Sequence, residues 1–250
     1  RGIAVDITKR IKERDLRLEP VRYEMRIDGM SGKKREIGLE STMHQICDHA
    51  ASGMLGELLT AKLSYYQCAS IKGKGQVFGM CAIKKFIKKE NYAERMSKER
   101  GTPCANKAKY FVKADIEKCY PSMTPEMVMR WLERDIGKNK TLLWFIRELL
   151  TMHKHGLIIG SILSKDLCNY ILSYAYREMM GYQKERRGKK IRLINFSLFY
   201  MDDILAFGQD RRNVKTAINK IDAYLQNNFE LHLKEKRHVK ELKKEPVDMM

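Results

Sequence analysis

The chain has 250 residues, of which 44% are hydrophobic and 32% charged, a balance that suits a globular protein of one large domain or two packed lobes and excludes a disordered tail. No apolar stretch approaches the roughly 20 residues of a membrane helix and the first residues carry no secretory signal, so we expect a cytoplasmic protein without a membrane partner. The formal net charge of +18 favours a polyanionic partner.

Apolar periodicity and end signals predict the elements in chain order. Helices are predicted over residues 4–19, 42–63, 77–89, 124–136, 141–153, 164–180 and 214–229, and strands over 35–37, 110–116 and 196–207. The clearest helix start is Thr124-Pro125-Glu126, an N-cap hydroxyl, a proline at the first helical position and an acid near the positive helix end. Residues 196–207 are predicted to form a hairpin. This order indicates an α+β fold, with an antiparallel sheet backed by helices on one face.

The positive charge is concentrated in three segments. Residues 72–113 hold twelve basic and three acidic side chains, residues 184–192 six and one, and residues 234–244 six and two. One such segment would be an ordinary solvated face. Three of them on a nearly neutral remainder indicate contacts with phosphate backbones, which release bound counterions.

The cysteines and histidines do not indicate a metal site. The six cysteines show no Cys-x-x-Cys pair and no Cys/His ligand spacing, so zinc is not expected. His153 and His155 are two residues apart and would point to different sides of a helix, so no ligand role is predicted for them.

Three carboxylates occupy positions that packing alone would not favour. Asp202 and Asp203 interrupt an apolar segment, and Asp115 ends an apolar strand. An exposed Asp-Asp turn at a hairpin tip is the alternative for the pair. If the strand of Asp115 lies beside the hairpin, the three like charges converge on one sheet edge and require divalent cations. A pair of Mg²⁺ ions held there would serve in-line phosphoryl transfer.

Six segments, in order along the chain, resemble the motifs of reverse transcriptases. They are residues 32–37 (the fingers motif), 115–122 (motif A), 156–164 (motif B), 200–203 (motif C), 229–234 (motif D) and 246–250 (the start of motif E). The resemblance implies an RNA-directed DNA polymerase that adds dNTPs to a primer 3′-hydroxyl.

The same resemblance implies the right-hand polymerase arrangement of fingers and palm. Fingers would comprise residues 1–105 with a contribution from 125–155. The palm would comprise 106–124 and 156–250, and the thumb would lie beyond residue 250.

Catalytic roles carry over from the resemblance by position. Asp115 and Asp202 would bind two Mg²⁺ ions, for which Mn²⁺ could substitute, with Ile116 as a further metal contact and Asp203 as a third, less tightly engaged carboxylate. Tyr120 would be the steric gate that excludes a 2′-hydroxyl, with a core tyrosine as the alternative.

Nucleotide contacts are implied in the same way. Arg35, with Lys33 or Lys74, would neutralise the triphosphate, although the lysines could equally belong to an RNA-backbone patch. Ile159 and Gly160 of motif B would lie beside the incoming nucleotide. Either of two further residues, Lys234 or Lys236, would be the general acid that protonates pyrophosphate, with a solvated lysine as the alternative for each.

Motif B indicates which subfamily of reverse transcriptases the chain resembles. Ile159-Gly160 stands where most retroviral and group II intron enzymes have Gln-Gly, and it resembles the bacterial enzymes of diversity-generating retroelements, for which adenine-directed infidelity is expected. Lys165 departs from their usual glutamine, and defence-associated, abortive-infection-like enzymes with untemplated or protein-primed synthesis are the alternative. The implied partners are an RNA template, a DNA or RNA primer and dNTPs, together with an accessory protein or a second copy of the chain.

Two other classes stay open. An RNA-dependent RNA polymerase would share the palm but accept ribonucleotides, and Tyr120 argues against it. A catalytically inactive RNA-binding module would not need Asp202, and the presence of all three aspartates argues against this class.

Overall fold

The computed structural model describes residues 2–29, 32–102 and 104–247. Their helices are α1 (Gly2–Glu13), α2 (Thr42–Met54), α3 (Gly56–Lys62), α4 (Gln76–Glu99), α5 (Cys119–Ser122), α6 (Pro125–Ile136), α7 (Lys140–Thr151), α8 (Ile162–Gly181) and α9 (Arg211–Phe229). Their strands are β1 (Arg22–Ile27), β2 (Lys34–Leu39), β3 (Tyr110–Asp115), β4 (Gln183–Arg186), β5 (Lys189–Arg192), β6 (Phe196–Tyr200), β7 (Asp203–Gly208) and β8 (Lys240–Glu241). Each helix of this described part is too short or too polar to cross a bilayer.

Most predicted elements are confirmed, with ends shifted by a few residues. The hydroxyl of Thr124 caps α6 by accepting a hydrogen bond from the Met127 amide at 3.3 Å, and Pro125 takes the first turn. Asn139 and Asp210 cap α7 and α9 through their side chains in the same way. The predicted hairpin is formed by β6 and β7. The α+β fold class is confirmed.

Two predicted helices have different ends in the structure. The helix predicted over 4–19 stops at Glu13 because Arg14 adopts a left-handed conformation with φ 54°, which a helix interior cannot accommodate. The helix predicted over 42–63 is interrupted at Leu55. The amide of that residue is shared between two carbonyls of the preceding turn, which closes α2 before α3 begins.

The remaining differences are additions. α4 extends ten residues beyond the predicted 77–89, and Lys98 pairs with Glu94 at 3.1 Å along the added part. The strands β1, β4, β5 and β8 were not predicted. Most of their side chains are exposed, so they lack the alternation of apolar and polar residues that marks a half-buried strand.

The chain forms two compact units. The helical unit comprises residues 1–62 and 118–171, and the sheet unit comprises residues 63–117 and 172–250. These boundaries differ from the fingers and palm expected from the sequence, whose assignment stays a prediction.

The sheet unit is built on four antiparallel strands in the order β6-β7-β3-β8. On one face, Phe86 of α4 packs against Phe196 and Phe207. On the other face, Tyr176 of α8 packs against Phe199, and α9 packs against β3 and β7. Helices therefore cover both faces, where the sequence predicted helices on only one, because the strand side chains are apolar on both sides.

In the helical unit, β1 and β2 form a separate antiparallel hairpin, and α7 packs against α2 and α6. The buried side of α7 supplies much of the core of this unit. Its fully or almost fully buried side chains are Leu142, Leu143, Phe145, Ile146, Leu149 and Leu150.

Candidate active site

The tip of the β6–β7 hairpin carries two of the predicted acids. Tyr200 pairs with Asp203, which leaves Met201 and Asp202 as a two-residue turn. Met201 has a φ of 51°, a conformation that residues other than glycine adopt rarely. The tight turn fixes Asp202 and Asp203 at the end of the sheet.

The register of β3 brings Asp115 to the same place. Asp115 is the last residue of β3 and lies directly opposite Asp203, so the two side chains project from one face. The amide of Ile116 donates to the carbonyl of Asp202 at 3.0 Å. The three predicted acids therefore meet at one end of the sheet.

Two lysines lie among these carboxylates. Lys234 Nζ donates to Asp115 Oδ2 at 2.7 Å, and Lys113 Nζ lies 3.7 Å from Asp203 Oδ2. The oxygens of the three acids do not all come within 4.8 Å of one another. The lysines thus offset part of the negative charge of the three carboxylates.

The electrostatics of Asp203 reflect this crowding. Burial raises the pKa of Asp203, an effect that Lys113 opposes, while Asp202 and Asp115 raise it further and Lys234 lowers it. Repulsion among neighbouring carboxylates is the strain that a bound divalent cation relieves.

The site offers the oxygen donors that Mg²⁺ prefers. Oδ1 of Asp115 is buried and has no hydrogen-bond partner, a defect that a cation would remove. The side chain of Ile116 is hydrocarbon and only 1% exposed, so its carbonyl is the one group that it could offer to a metal. These residues therefore fit a divalent cation.

The structure separates the two lysines between which the sequence could not choose. Ile116 and Leu233 form an antiparallel bridge, and the amide of Lys234 donates to the carbonyl of Asp115 at 2.8 Å. This bridge holds Lys234 at the carboxylates. Lys236, two residues further on, is exposed.

Lys74 makes its contacts elsewhere in the sheet unit. Its ammonium donates to the carbonyl of Tyr65 at 2.6 Å and lies 5.1 and 5.7 Å from the ring centroids of Tyr65 and Phe78. Burial lowers the pKa of Lys74. These contacts stabilise the segment before α4, and the predicted role of Lys74 at the triphosphate stays a prediction.

In the helical unit, the segment that carries Ile159 and Gly160 packs on β2. The amide of Gly38 donates to the carbonyl of Ile159 at 3.1 Å. Gly160 has a φ of 118°, and a Cβ at this position would lie 3.0 Å from the carbonyl oxygen of Gly38. Both the conformation and the close approach require glycine at position 160.

Tyr120 lies in α5, the short helix after β3, and its side chain is half-buried. The amide of Leu157 donates to the carbonyl of Met123 at 3.1 Å. A Cβ on Gly156 would lie 2.7 Å from the carbonyl oxygen of Tyr120. The segments predicted as motifs A and B therefore pack backbone to backbone beside Tyr120.

The fingers motif forms the turn and second strand of the β1–β2 hairpin. Arg35 on β2 lies opposite Arg26, and its guanidinium is 3.4 Å from Asp28 Oδ2. The carbonyl of Lys33 accepts a hydrogen bond from the amide of Asp28 at 2.9 Å. Contacts of Arg35 and Lys33 with a nucleotide stay predictions. Of the expected motif E, residues 248–250 lie outside the described residues.

Sequence reasoning missed one residue in each unit, Lys113 in the sheet unit and Gly38 in the helical unit. Lys113 lies two positions before Asp115, so the alternation of strand side chains puts both on one face and could have identified it. Gly38 interrupts a strand, which is a signal for close approach of another backbone.

Comparisons with known proteins assign most of the chain to one family. Residues 26–250 match the family described as reverse transcriptase (RNA-dependent DNA polymerase). No curated protein matches the chain.

Solved telomerase structures share the fold. Apo telomerase from Candida tropicalis is 12% identical with a TM-score of 0.57, over 96% of this chain and 49% of that chain. Telomerase from Candida albicans, in complex with a TWJ fragment of telomeric RNA, is 11% identical with a TM-score of 0.55, over 99% and 48%. A C. tropicalis telomerase truncated from its C-terminal domain is 11% identical with a TM-score of 0.53, over 100% and 56%. The chain thus spans about half the length of these proteins, and such low identity shows likeness of fold alone.

Proposed function

The chain belongs to the reverse transcriptase (RNA-dependent DNA polymerase) family, and on this basis we propose that it adds dNTPs to a primer 3′-hydroxyl in the order set by an RNA template. The observation that carries the proposal is the register of β3 and β7, which puts Asp115 opposite Asp203 and next to the turn of Asp202. Acids gathered in this way can hold the metal ions that phosphoryl transfer uses.

Reverse transcriptases generally use divalent metal ions. Here Asp115, Asp202 and Asp203, with the carbonyl of Ile116, would hold two Mg²⁺ ions, and Mn²⁺ could replace them. Such ions, when bound, activate the attacking hydroxyl and stabilise the charge on the leaving phosphate oxygens. The unpartnered Oδ1 of Asp115 supports this assignment.

The reaction forms one bond to phosphorus and breaks another. The primer 3′-hydroxyl loses its proton to water as its oxygen attacks the α-phosphorus of the dNTP, and the bond from that phosphorus to the bridging oxygen breaks to release pyrophosphate. Lys234, bonded to Asp115 at 2.7 Å, would give the leaving group its proton, and this contact supports Lys234 over Lys236 as the general acid.

Nucleotide binding falls to the helical unit in this proposal. Arg35 and Lys33 of the β1–β2 hairpin would neutralise the triphosphate. Tyr120 would lie under the sugar and exclude a 2′-hydroxyl. Ile159 and Gly160 would lie beside the nascent pair, and the contact of Gly38 with both residues would keep them in place.

Template and primer would be held by their backbones. The three basic segments, 72–113, 184–192 and 234–244, all belong to the sheet unit, as do the three acids. Exposed lysines and arginines suit phosphate contacts that do not read sequence. A concentration of positive charge on the unit that carries the acids supports an RNA template with a DNA or RNA primer.

The subfamily that we propose is a bacterial, cytoplasmic enzyme of a diversity-generating retroelement, working with an accessory protein or as a homo-oligomer. Ile159 before Gly160 supports it, because an aliphatic side chain cannot make the polar contact that a glutamine would offer. Lys165 supports the alternative, a defence-associated polymerase with untemplated or protein-primed synthesis.

Primer extension on defined templates tests the activity. We expect Mg²⁺-dependent incorporation of dNTPs on an RNA template, with rNTPs used poorly. Asp202→Asn should lower the rate of incorporation by roughly 10³-fold or more. Asp15→Asn, which removes an exposed carboxylate paired with Arg17, is the matched control and should keep full activity. Activity that survives in Asp202→Asn would refute the proposal.

Omitting the template separates the two subfamilies. A retroelement enzyme should stop without template and, on an RNA template, misincorporate opposite adenine. Ile159→Gln should reduce that misincorporation. Undiminished synthesis without any template would instead identify the defence-associated alternative.

A further inference from the structure

Within the described residues, one group of three metal-ligating side chains lies close enough together to share an ion. The ligand atoms of Glu40, His44 and His153 all lie within 4.8 Å of one another. All three residues belong to the helical unit, whereas the acids of the candidate active site belong to the sheet unit.

The fold builds this cluster from two helices. Glu40, His44 and Asp48 are spaced four residues apart, so they line one side of α2 and of the residues that lead into it. α2 packs against α7, and His153 follows the end of α7. The rings of His44 and His153 stack with centroids 6.1 Å apart. Residues more than a hundred positions apart thereby share one site.

The cluster is buried and its polar atoms are unsatisfied. His44 is 0% exposed and His153 8%. Neither ring nitrogen of either histidine has a hydrogen-bond partner, and Oε1 of Glu40 and Oδ1 of Asp48 also have none. His44 Nε2 lies 4.0 Å from Glu40 Oε1 and 3.6 Å from Asp48 Oδ1, too far for hydrogen bonds. Folded proteins rarely leave so many buried polar atoms unpaired unless an ion or a water completes the set.

We propose that Glu40, His44 and His153 bind a divalent transition-metal ion of the Zn²⁺ class, with Asp48 as the fourth ligand. Two imidazoles with carboxylates suit Zn²⁺, whereas Mg²⁺ prefers oxygen donors alone. Bonds of about 2.0–2.1 Å would put tetrahedral ligands about 3.3 Å apart, so ligand atoms that now lie within 4.8 Å of one another need to close by up to about 1.5 Å. A metal ion with four protein ligands and no open coordination position is typical of a structural site.

The site would fix the segment that carries Ile159 and Gly160. Ser161 donates a hydrogen bond to Asp48 Oδ2. The hydroxyl of Ser161 accepts from the amide of Ser164 at 3.1 Å, and the hydroxyl of Ser164 accepts from the amide of Ile158 at 3.2 Å. An ion that orients Asp48 would hold this chain of contacts in place, as partners of metal ligands commonly do.

Titration of the whole chain, untagged and stripped with a chelator, tests the proposal. Mg²⁺ is kept in excess so that sites made of oxygen donors are filled, and Zn²⁺ or Co²⁺ is then added. We expect one equivalent to bind, and Zn²⁺ at about 100-fold above its Kd to raise Tm by about 5–10 °C. Bound Co²⁺ should give the visible spectrum of a four-coordinate ion and should shift the NMR signals of two imidazole ring protons.

Variants locate the bound ion. Glu40→Gln and His153→Gln should each weaken Zn²⁺ binding by about 100-fold or more. His155→Gln, which changes an exposed histidine two residues away, should bind like the wild type. If a variant fails to fold, the Co²⁺ spectrum and imidazole signals of the wild type still decide. A wild-type chain that binds no stoichiometric Zn²⁺ or Co²⁺, or binding that all three variants retain equally, would overturn the proposal and leave a metal-free buried network.

Discussion

The positions of the three acids are set by the main chain. The carbonyl of Asp115 accepts from the amide of Lys234, the carbonyl of Asp202 accepts from the amide of Ile116, and Asp203 pairs with Asp115 across the sheet. Replacing one of these aspartates by asparagine keeps all of these bonds. A loss of activity in such a variant therefore reports lost charge and not a displaced strand.

Lys234 gives the first prediction at the scale of single residues. Lys234→Met should slow single-turnover incorporation by about 10²-fold, because the leaving pyrophosphate loses its proton donor. Lys236→Met removes an exposed lysine two residues away and should incorporate at the wild-type rate. Equal effects of the two substitutions on the single-turnover rate would show that Lys234 acts only as part of the general positive field.

Gly160 gives the second. Gly160→Ala should lower the free energy of unfolding by about 1–3 kcal/mol, because alanine is strained at φ 118° and its Cβ would lie 3.0 Å from the carbonyl oxygen of Gly38. Gly53 lies within α2, and nothing lies within 4 Å of a Cβ added there. Gly53→Ala should therefore raise the free energy of unfolding by about 0.5–1 kcal/mol. Urea unfolding measures both. Equal stability of Gly160→Ala and wild type would contradict the strained geometry.

At the scale of elements, the sequence predicted best what local signals determine. Thr124 and Pro125 mark the start of α6 within one turn, and the apolar run around Asp202 marks a hairpin. β8 has no such signal, because its two residues become a strand only by pairing with β3. β4 and β5 are almost wholly exposed, so no apolar alternation marks them.

The same contrast holds for the sites. The three acids could be predicted because each breaks an apolar segment. The cluster of His44 and His153 could not, because it depends on how α2 packs against α7. The expectation that His153 has no ligand role was based only on its spacing from His155, its neighbour along the chain.

The long α4 gives a prediction about pH. Asn106 donates to Glu94 at 2.9 Å, and this bond, followed by that from Lys98, lowers the pKa of Glu94 to about 2, while burial opposes the shift. Because the unfolded chain holds this pKa near 4.5, the contribution of Glu94 to stability is present above pH 4.5 and is lost as the pH falls toward 2.

Glu94→Gln should therefore show a smaller fall in the free energy of unfolding between pH 5 and about pH 2 than the wild type, as measured by urea unfolding at each pH. Glu99→Gln, which removes an exposed acid 3.9 Å from Arg95 on the same helix, should follow the wild-type curve. If Glu94→Gln and the wild type lose stability in parallel, the contact with Asn106 does not form in solution.

At the scale of the whole molecule, the concentrated positive charge lies in one of the two units. The three basic segments and the three acids belong to the sheet unit. The helical unit holds the hairpin of Arg35 and the segment of Gly160. On the proposed function, the sheet unit would supply both the phosphate contacts and the chemistry, and the helical unit the fit of the nucleotide.

This division predicts how binding responds to salt. Lys189 and Lys190 lie in the exposed β4–β5 hairpin, and the double variant Lys189→Gln/Lys190→Gln should weaken binding of an RNA–DNA duplex. The slope of log K against log salt should become shallower by about 1–2, because a complex with fewer phosphate contacts releases fewer counterions when it forms. Lys9→Gln/Lys12→Gln removes the same charge from α1 in the helical unit and should leave that slope nearly unchanged. Fluorescence anisotropy over a range of salt concentrations gives both slopes. Equal changes in the two double variants would mean that net charge, and not the sheet unit, attracts the nucleic acid.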